Sequence, residues 1–266
     1  MTKDFSTALD QIRIISREAA SWGRANRPDG RVDVAATKSS PTDVVTELDR
    51  GCEQRIREAI SQHWPNDGFI GEESAPSPGT SGVVWIVDPI DGTVNFVYGV
   101  AGYAISIAAE YQGETVLGYV IDISTGAEYG ALRGGGAWRW EGAEKRTLTG
   151  PPAVPIEQML VATGFNYRQE LREKQGQAVA KLLPHIRDIR RLGSAALDLV
   201  AMAEGRLDAY VEEGLKPWDL AAGELIAREA GLIVTGFDGK ANERLTIVSH
   251  NSVARDFFDH IVRCGF

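Results

Sequence analysis

The chain is poor in cysteine, in long apolar runs and in positive charge. Only Cys52 and Cys264 occur in 266 residues. Their separation is not that of a metal-ligand pair, which predicts two free thiols in a reducing compartment rather than a disulfide framework. No apolar stretch approaches the roughly 20 residues that span a bilayer. The opening MTKDFSTALDQIRIISREAA has no apolar centre of the secretory kind. A soluble, cytoplasmic protein with no membrane association is expected. The net charge of −9 makes a nucleic-acid-binding surface unexpected. Neither an internal repeat nor a low-complexity tract is found. Hydrophobic content of 43% is enough for one large domain or two smaller lobes.

What the chain does have is WIVDPIDGTVNFVY, from Trp85 to Tyr98. Val83–Val87 is β-branched and aromatic and predicts a buried strand. The strand is expected to break at Asp88-Pro89-Ile90-Asp91-Gly92-Thr93. Proline fixes its own φ and pushes Asp88 towards an extended conformation, and Gly92 permits a tight turn. Thr93 is placed to cap a helix starting near Val94, whose first amides have no partner within the helix. One turn thus gathers two carboxylates, a hydroxyl and amide donors. Two unit charges about 4 Å apart cost roughly 4 kcal/mol at an effective dielectric near 20. A hard divalent cation such as Mg²⁺ relieves that repulsion, and the amides suit a phosphate. Metal-assisted chemistry on a phosphate is the expectation.

Around this stretch, helical spacing of Phe5, Leu9, Ile12, Ile15 and Ala19 predicts an amphipathic helix over 4–24. A polar loop over 26–42 follows, then a second helix over Asp43–Ile60 with Pro41-Thr42 as its start signal. Phe69–Glu73 reads as a short strand ending in acid. Tyr103–Tyr111, Thr115–Ile123, Ala127–Ala131 and Gly136–Trp140 read as an antiparallel run. After Gly150-Pro151-Pro152, strands and helices alternate. The expected fold class is α/β, with an α+β N-terminal lobe (1–150) and an α/β C-terminal lobe (151–266) forming one catalytic unit. Besides Asp88 and Asp91, acids recur at strand ends or helix starts: Asp49 in DVVTELD, Glu72 in GEES and Asp219 in KPWD. Asp219 is placed as an N-cap of the helix Leu220–Ala230.

WIVDPIDGTVNF and KPWDLAAGELIAREAGLIVT, with GEES upstream, resemble the inositol monophosphatase family. This is the Mg²⁺-dependent, Li⁺-sensitive phosphatase superfamily that also holds fructose-1,6-bisphosphatases. The resemblance runs from KSSPTDVVTELD to the C-terminal SHN segment. It implies a layered αβαβα sandwich, a homodimer and two or three Mg²⁺ per site. Carried over position by position, Glu72, Asp88 and the Ile90 carbonyl resemble the ligands of one metal, and Asp88, Asp91 and Asp219 those of a second. A third, looser ion would use Glu72. Thr93 and Asp49, assisted by Glu72, would orient a metal-activated water for in-line attack, and Gly92 and Thr93 would hold the phosphate. Asp91, Ser194, Ala195 and Glu212 would meet the leaving alcohol, with Lys38 near the metals. The chain departs from animal members of the family at Lys216 and Pro217, and Lys216 with Arg190 and Arg191 could add positive charge near the leaving group. The resemblance thus implies hydrolysis of a small phosphate monoester, myo-inositol 1-phosphate first. The alternatives are histidinol phosphate or another sugar or nucleotide phosphate, and a regulatory, protein-binding role of the kind some bacterial relatives have.

Overall fold

A computed structural model describes residues 4–38 and 44–266. The molecule is built in five layers. The first holds α1 (Ser6–Asn26) and α2 (Glu47–His63). Leu9, Ile12, Ile15 and Ala19 of α1, with Cys52, Ile56 and Ile60 of α2, face inward at helical spacing. They pack on a seven-stranded sheet: β3 (Gly68–Gly71), β4 (Val83–Asp91), β5 (Ala104–Tyr111), β6 (Glu114–Asp122), β7 (Glu128–Leu132), β8 (Gly136–Glu141) and β9 (Glu144–Thr147). Neighbours follow chain order, with β3 parallel to β4 and every later pair antiparallel. A six-residue helix, α3 (Thr93–Tyr98), leaves the end of β4.

The other sheet holds β10 (Leu160–Thr163), β11 (Asp188–Arg190), β12 (Ala209–Glu212), β13 (Leu232–Thr235) and β14 (Thr246–His250), in the order β11-β10-β12-β14-β13. Its first three strands are parallel and its last two pairings antiparallel. α4 (Gln169–Leu182) and α7 (Ala254–Cys264) cover its outer face. Between the sheets lie α5 (Ala195–Ala203) and α6 (Pro217–Glu229). α5 is buried along its whole length. Residues of these two helices join apolar clusters on both sides, with Ile86, Ala108 and Val120 of one sheet and Tyr210, Val234 and Val248 of the other. α6 approaches β6 so closely that a Cβ on Gly118 would stand 2.7 Å from the Ala222 carbonyl oxygen. This is the expected αβαβα sandwich.

Three expectations need correction. Val44–Val45 is not helical: it forms β2, antiparallel to β1 (Ala36–Thr37) inside the expected loop. Two β-branched residues favour the extended backbone, and the helix waits for a capping box, with Thr46 as N-cap and Asp49 at its third position. Pro41, Thr42 and Asp43 lie outside the described residues. The second correction is β9, whose residues Glu144–Thr147 are all exposed. It has no apolar alternation to read. The third concerns the DPID segment, which stays within the ladder as part of β4.

Candidate active site

A regular strand sends residues three apart to opposite faces. β4 evades this. Asp88 pairs with Ser106 and Asp91 with Ala104, so three steps on β4 oppose two on β5. The extra residue is a bulge, and Pro89, lacking an N–H, fits a place where the ladder is interrupted. The bulge brings Asp88 and Asp91 to the same side. Asp219 joins them from α6, and one carboxylate oxygen from each of the three lies within 4.8 Å of the others. Asp219 is not the N-cap: Lys216 is, Pro217 opens the helix, and Asp219 sits at the third position. There its carboxylate accepts the Lys216 N–H at 2.7 Å. Asp88 likewise accepts the Ile90 N–H at 3.0 Å.

Glu72 follows β3 and its N–H donates to the Val87 carbonyl at 3.2 Å, which lays it beside the end of β4. Two side chains one turn apart on α2 hold this loop. Glu53, 2% exposed, accepts the Glu73 N–H at 2.8 Å. Arg57 donates to Ser74 Oγ at 2.6 Å and to the Ala75 carbonyl at 3.1 Å. Lys38 Nζ donates to Glu72 at 2.7 Å and also to Glu73. One turn earlier on α2, the fully buried Asp49 accepts the Thr46 N–H at 2.8 Å through one oxygen. Its other oxygen lies 3.2 Å from the Thr93 hydroxyl, which is also 3.0 Å from the Ile90 carbonyl. Thr93 is the first residue of α3, and Gly92 rather than Thr93 is the cap. Gly92 has φ +87°, and a Cβ there would stand 2.8 Å from the Gly102 carbonyl oxygen.

These groups open on a cavity of about 470 Å³. Beside them Ser194 caps α5, accepting the Leu197 N–H at 3.2 Å and donating to Asp91 at 2.6 Å. The Ala196 N–H reaches the same Asp91 oxygen at 2.7 Å. Glu212 ends β12, and the Tyr210 hydroxyl donates to it at 2.6 Å. Gly164 faces it without a Cβ, which would overlap the Glu212 carboxylate. Arg191 and Lys216 line the cavity, whereas Arg190 turns away to pair with Asp188 at 2.7 Å. Lys216 is held by Glu243. Of the twelve site residues named from the sequence, Asp49 alone is not on the cavity wall, although it touches Thr93. Sequence reasoning missed two residues. Glu53 looks like any helix acid. Asp198 is the one charge in AALDLVAMA, and it lines the cavity too. A helix apolar all round is buried, so its lone acid had to be buried with it, and that signal was readable.

The electrostatics are those of acids without enough counter-charge. Burial, then Glu72, Asp91 and Asp219, push the Asp88 carboxyl well above the usual range. Burial, then Asp91 and Glu72, do the same to Asp219. Burial raises Asp91 in spite of its bonds from Ser194 and Ala196. Burial pushes Glu72 up to about 7 against the pull of Lys38, and Glu212 up to about 7 against its bond from Tyr210. Among the described residues, Asp88, Asp91 and Asp219 have no ion pair with a basic side chain. Buried, hard oxygen donors of one sign, converging without a cation of their own, are the donor set that suits a divalent ion.

Comparison with known proteins agrees. The sequence model of the inositol monophosphatase family matches residues 6–261. Inositol-1-monophosphatase SuhB of Mycobacterium tuberculosis is 45% identical over 220 residues, 81% of this chain and 76% of that protein. Nus factor SuhB of Escherichia coli K12 is 39% identical over 219 residues, 80% of this chain and 79% of that one. A solved structure of a Thermotoga maritima IMPase matches with a TM-score of 0.86 at 31% identity, covering 97% of this chain and 98% of that one. With the fold, the acid-lined cavity and the sequence match in agreement, the chain belongs to the inositol monophosphatase family, metal-dependent phosphatases of small phosphate esters.

Proposed function

We propose that this protein hydrolyses myo-inositol 1-phosphate to myo-inositol and phosphate, with two or three Mg²⁺ ions. Glu72, Asp88 and the Ile90 carbonyl would hold one ion, and Asp88, Asp91 and Asp219 another. Bound Mg²⁺ supplies positive charge to the phosphate oxygens and raises the acidity of water. The chain's own groups do the rest. The Gly92 and Thr93 amides, at the open start of α3, donate to the phosphate. The Thr93 hydroxyl, held by Asp49 and the Ile90 carbonyl, would orient the attacking water in line with the ester bond with Glu72 assisting, and the proton that water gives up is matched by one that a second water gives to the leaving alkoxide. Ser194, Ala195 and Glu212, which line the same cavity, would meet the leaving alcohol. The two lobes, 1–150 and 151–266, act as one unit because Asp219 comes from the second and the other acidic ligands from the first.

The observation that carries this reading is the convergence of Asp88, Asp91 and Asp219 beside the Asp49–Thr93 pair. It is tested by measuring phosphate release by purified protein with Mg²⁺ from myo-inositol 1-phosphate, histidinol phosphate, fructose 1,6-bisphosphate and NADP. Fastest turnover is expected on inositol 1-phosphate, with inhibition by Li⁺. Release from none of them ends the reading, and preference for histidinol phosphate replaces it with the alternative. A second, protein-binding role is favoured by the 39% identity to a relative named Nus factor SuhB. In cells that grow poorly without the protein, an Asp88→Asn variant that loses phosphatase activity yet restores growth would support that role.

A further inference from the structure

Asp198 is 1% exposed, and its Oδ1 has no hydrogen-bond partner. Leaving a buried polar oxygen unsatisfied costs about 1–3 kcal/mol, more when it is charged. Such an oxygen in a folded protein calls for a ligand or a water. The surroundings offer one place for either. Asp198 lines the active-site cavity with Ser194 and Ala195, from which it lies four and three positions along α5, the spacing that puts side chains on one helix face. Glu212 lines the same cavity from β12. One Glu212 oxygen is taken by Tyr210. The cavity therefore carries, besides Asp88, Asp91 and Asp219, two further carboxyl groups from separate elements. Burial, then Glu212 and Asp91, push the Asp198 carboxyl well above the usual range, so this part of the cavity already disfavours a further negative charge.

Resting on the functional reading above, we propose that Asp198 is a specificity-determining residue that, side by side with Glu212, hydrogen-bonds the hydroxyls of a neutral polyol leaving group. Carboxyl oxygens accept from donors, and a polyol ring presents several hydroxyl donors in a row. A leaving group bearing a carboxylate or a second phosphate would bring further negative charge to a place that disfavours it and be rejected. Arg191, on the same cavity, is the nearby cation that moderates the pair. The selectivity is thus for uncharged, hydroxyl-rich alcohols over anionic ones.

The test compares kcat and KM for the native protein, Asp198→Ala and Asp198→Asn on myo-inositol 1-phosphate, glycerol phosphate, 3-phosphoglycerate and p-nitrophenyl phosphate, all with saturating Mg²⁺. In Asp198→Ala the kcat/KM preference for the best polyol phosphate over p-nitrophenyl phosphate is expected to fall about tenfold, the size of one lost hydrogen bond. The fall is expected mainly in KM. Discrimination against 3-phosphoglycerate, whose leaving group carries a carboxylate, should relax in both variants. If Asp198→Ala does not fold, Asp198→Asn, with the same shape and no ionisable group, carries the 3-phosphoglycerate arm. A preference unchanged within about twofold, with discrimination against 3-phosphoglycerate intact, overturns the proposal and leaves Asp198 bonded to a structural water. Because the ratio uses whichever polyol phosphate the native protein cleaves fastest, failure of inositol 1-phosphate alone overturns the substrate reading and not this one. A native protein that cleaves p-nitrophenyl phosphate but no polyol phosphate overturns both.

Discussion

Asp88 is the residue on which the site's charge balance turns. It stands among Glu72, Asp91 and Asp219, and its carboxyl is raised by burial and by all three. Asp88→Asn removes one of four crowded acids. The metal-free protein is therefore expected to melt a few degrees higher, while phosphate release falls by at least about 100-fold and the rise in Tm on adding Mg²⁺ shrinks. A lower metal-free Tm in the variant would contradict the repulsion argued here. Gly92 constrains the site differently. Its positive φ and the Gly102 carbonyl leave no room for a methyl group. Gly92→Ala should cost about 1–3 kcal/mol in denaturant melts. Because Thr93 is the next residue, activity should drop about 100-fold, as reacting groups misplaced by about 1 Å do.

The elements explain why the acids meet. α2 presents Asp49, Glu53 and Arg57 at successive turns, and each secures a different part of the site: Thr93, the Glu73 amide, and the Ser74–Ala75 loop. Glu53→Ala should weaken Mg²⁺ binding about 10- to 100-fold by calorimetry, the usual cost of removing a group that orients a ligand. Glu53→Gln, which keeps an acceptor for the amide, should restore most of it. Equal loss in both variants would mean that Glu53 matters only as a charge. Much of this was legible in the sequence. DPIDGT after an apolar run marked the strand that carries Asp88 and Asp91 and the helix start beside it, and KPWD placed Asp219 near a helix start. The bulge was not legible, because a ladder register depends on the partner strand, and β5 carries no mark of where Ser106 will lie. The Lys216 cap escaped for a related reason: an aspartate at either position satisfies a free amide at the helix start, the N-cap amide from the third position or a first-turn amide from the cap, and composition does not separate the two. Val44–Val45 reads equally as the flank of a helix or a strand until β1 is known to lie alongside. Asp198 was passed over because a single acid is most often solvated.

The whole molecule carries the imbalance of its acids as a pH response. A carboxyl whose pKa is raised by folding binds its proton more tightly in the folded chain. Its contribution to stability is complete below the unfolded pKa and is lost as pH climbs through the folded one. For Glu72 and Glu212 that window runs from 4.5 to about 7. The metal-free protein in chelator should therefore lose several degrees of Tm between pH 4.5 and 7, and saturating Mg²⁺ should remove most of the slope. A Tm that rises over that interval would reverse the sign and refute the account. The layering has a consequence for biosynthesis. The first sheet ends at Thr147, but the helices that cover its second face, α5 and α6, are translated only later, up to Glu229. A ribosome that has just released Thr147 holds a nearly finished sheet with Ile86, Ala104, Ala108 and Val120 bare to water. Partly made chains with such a face are prone to stick together. Truncated chains ending near residue 150 should bind an apolar dye and recruit chaperones, and the full chain, with α5, α6 and α7 in place, should not.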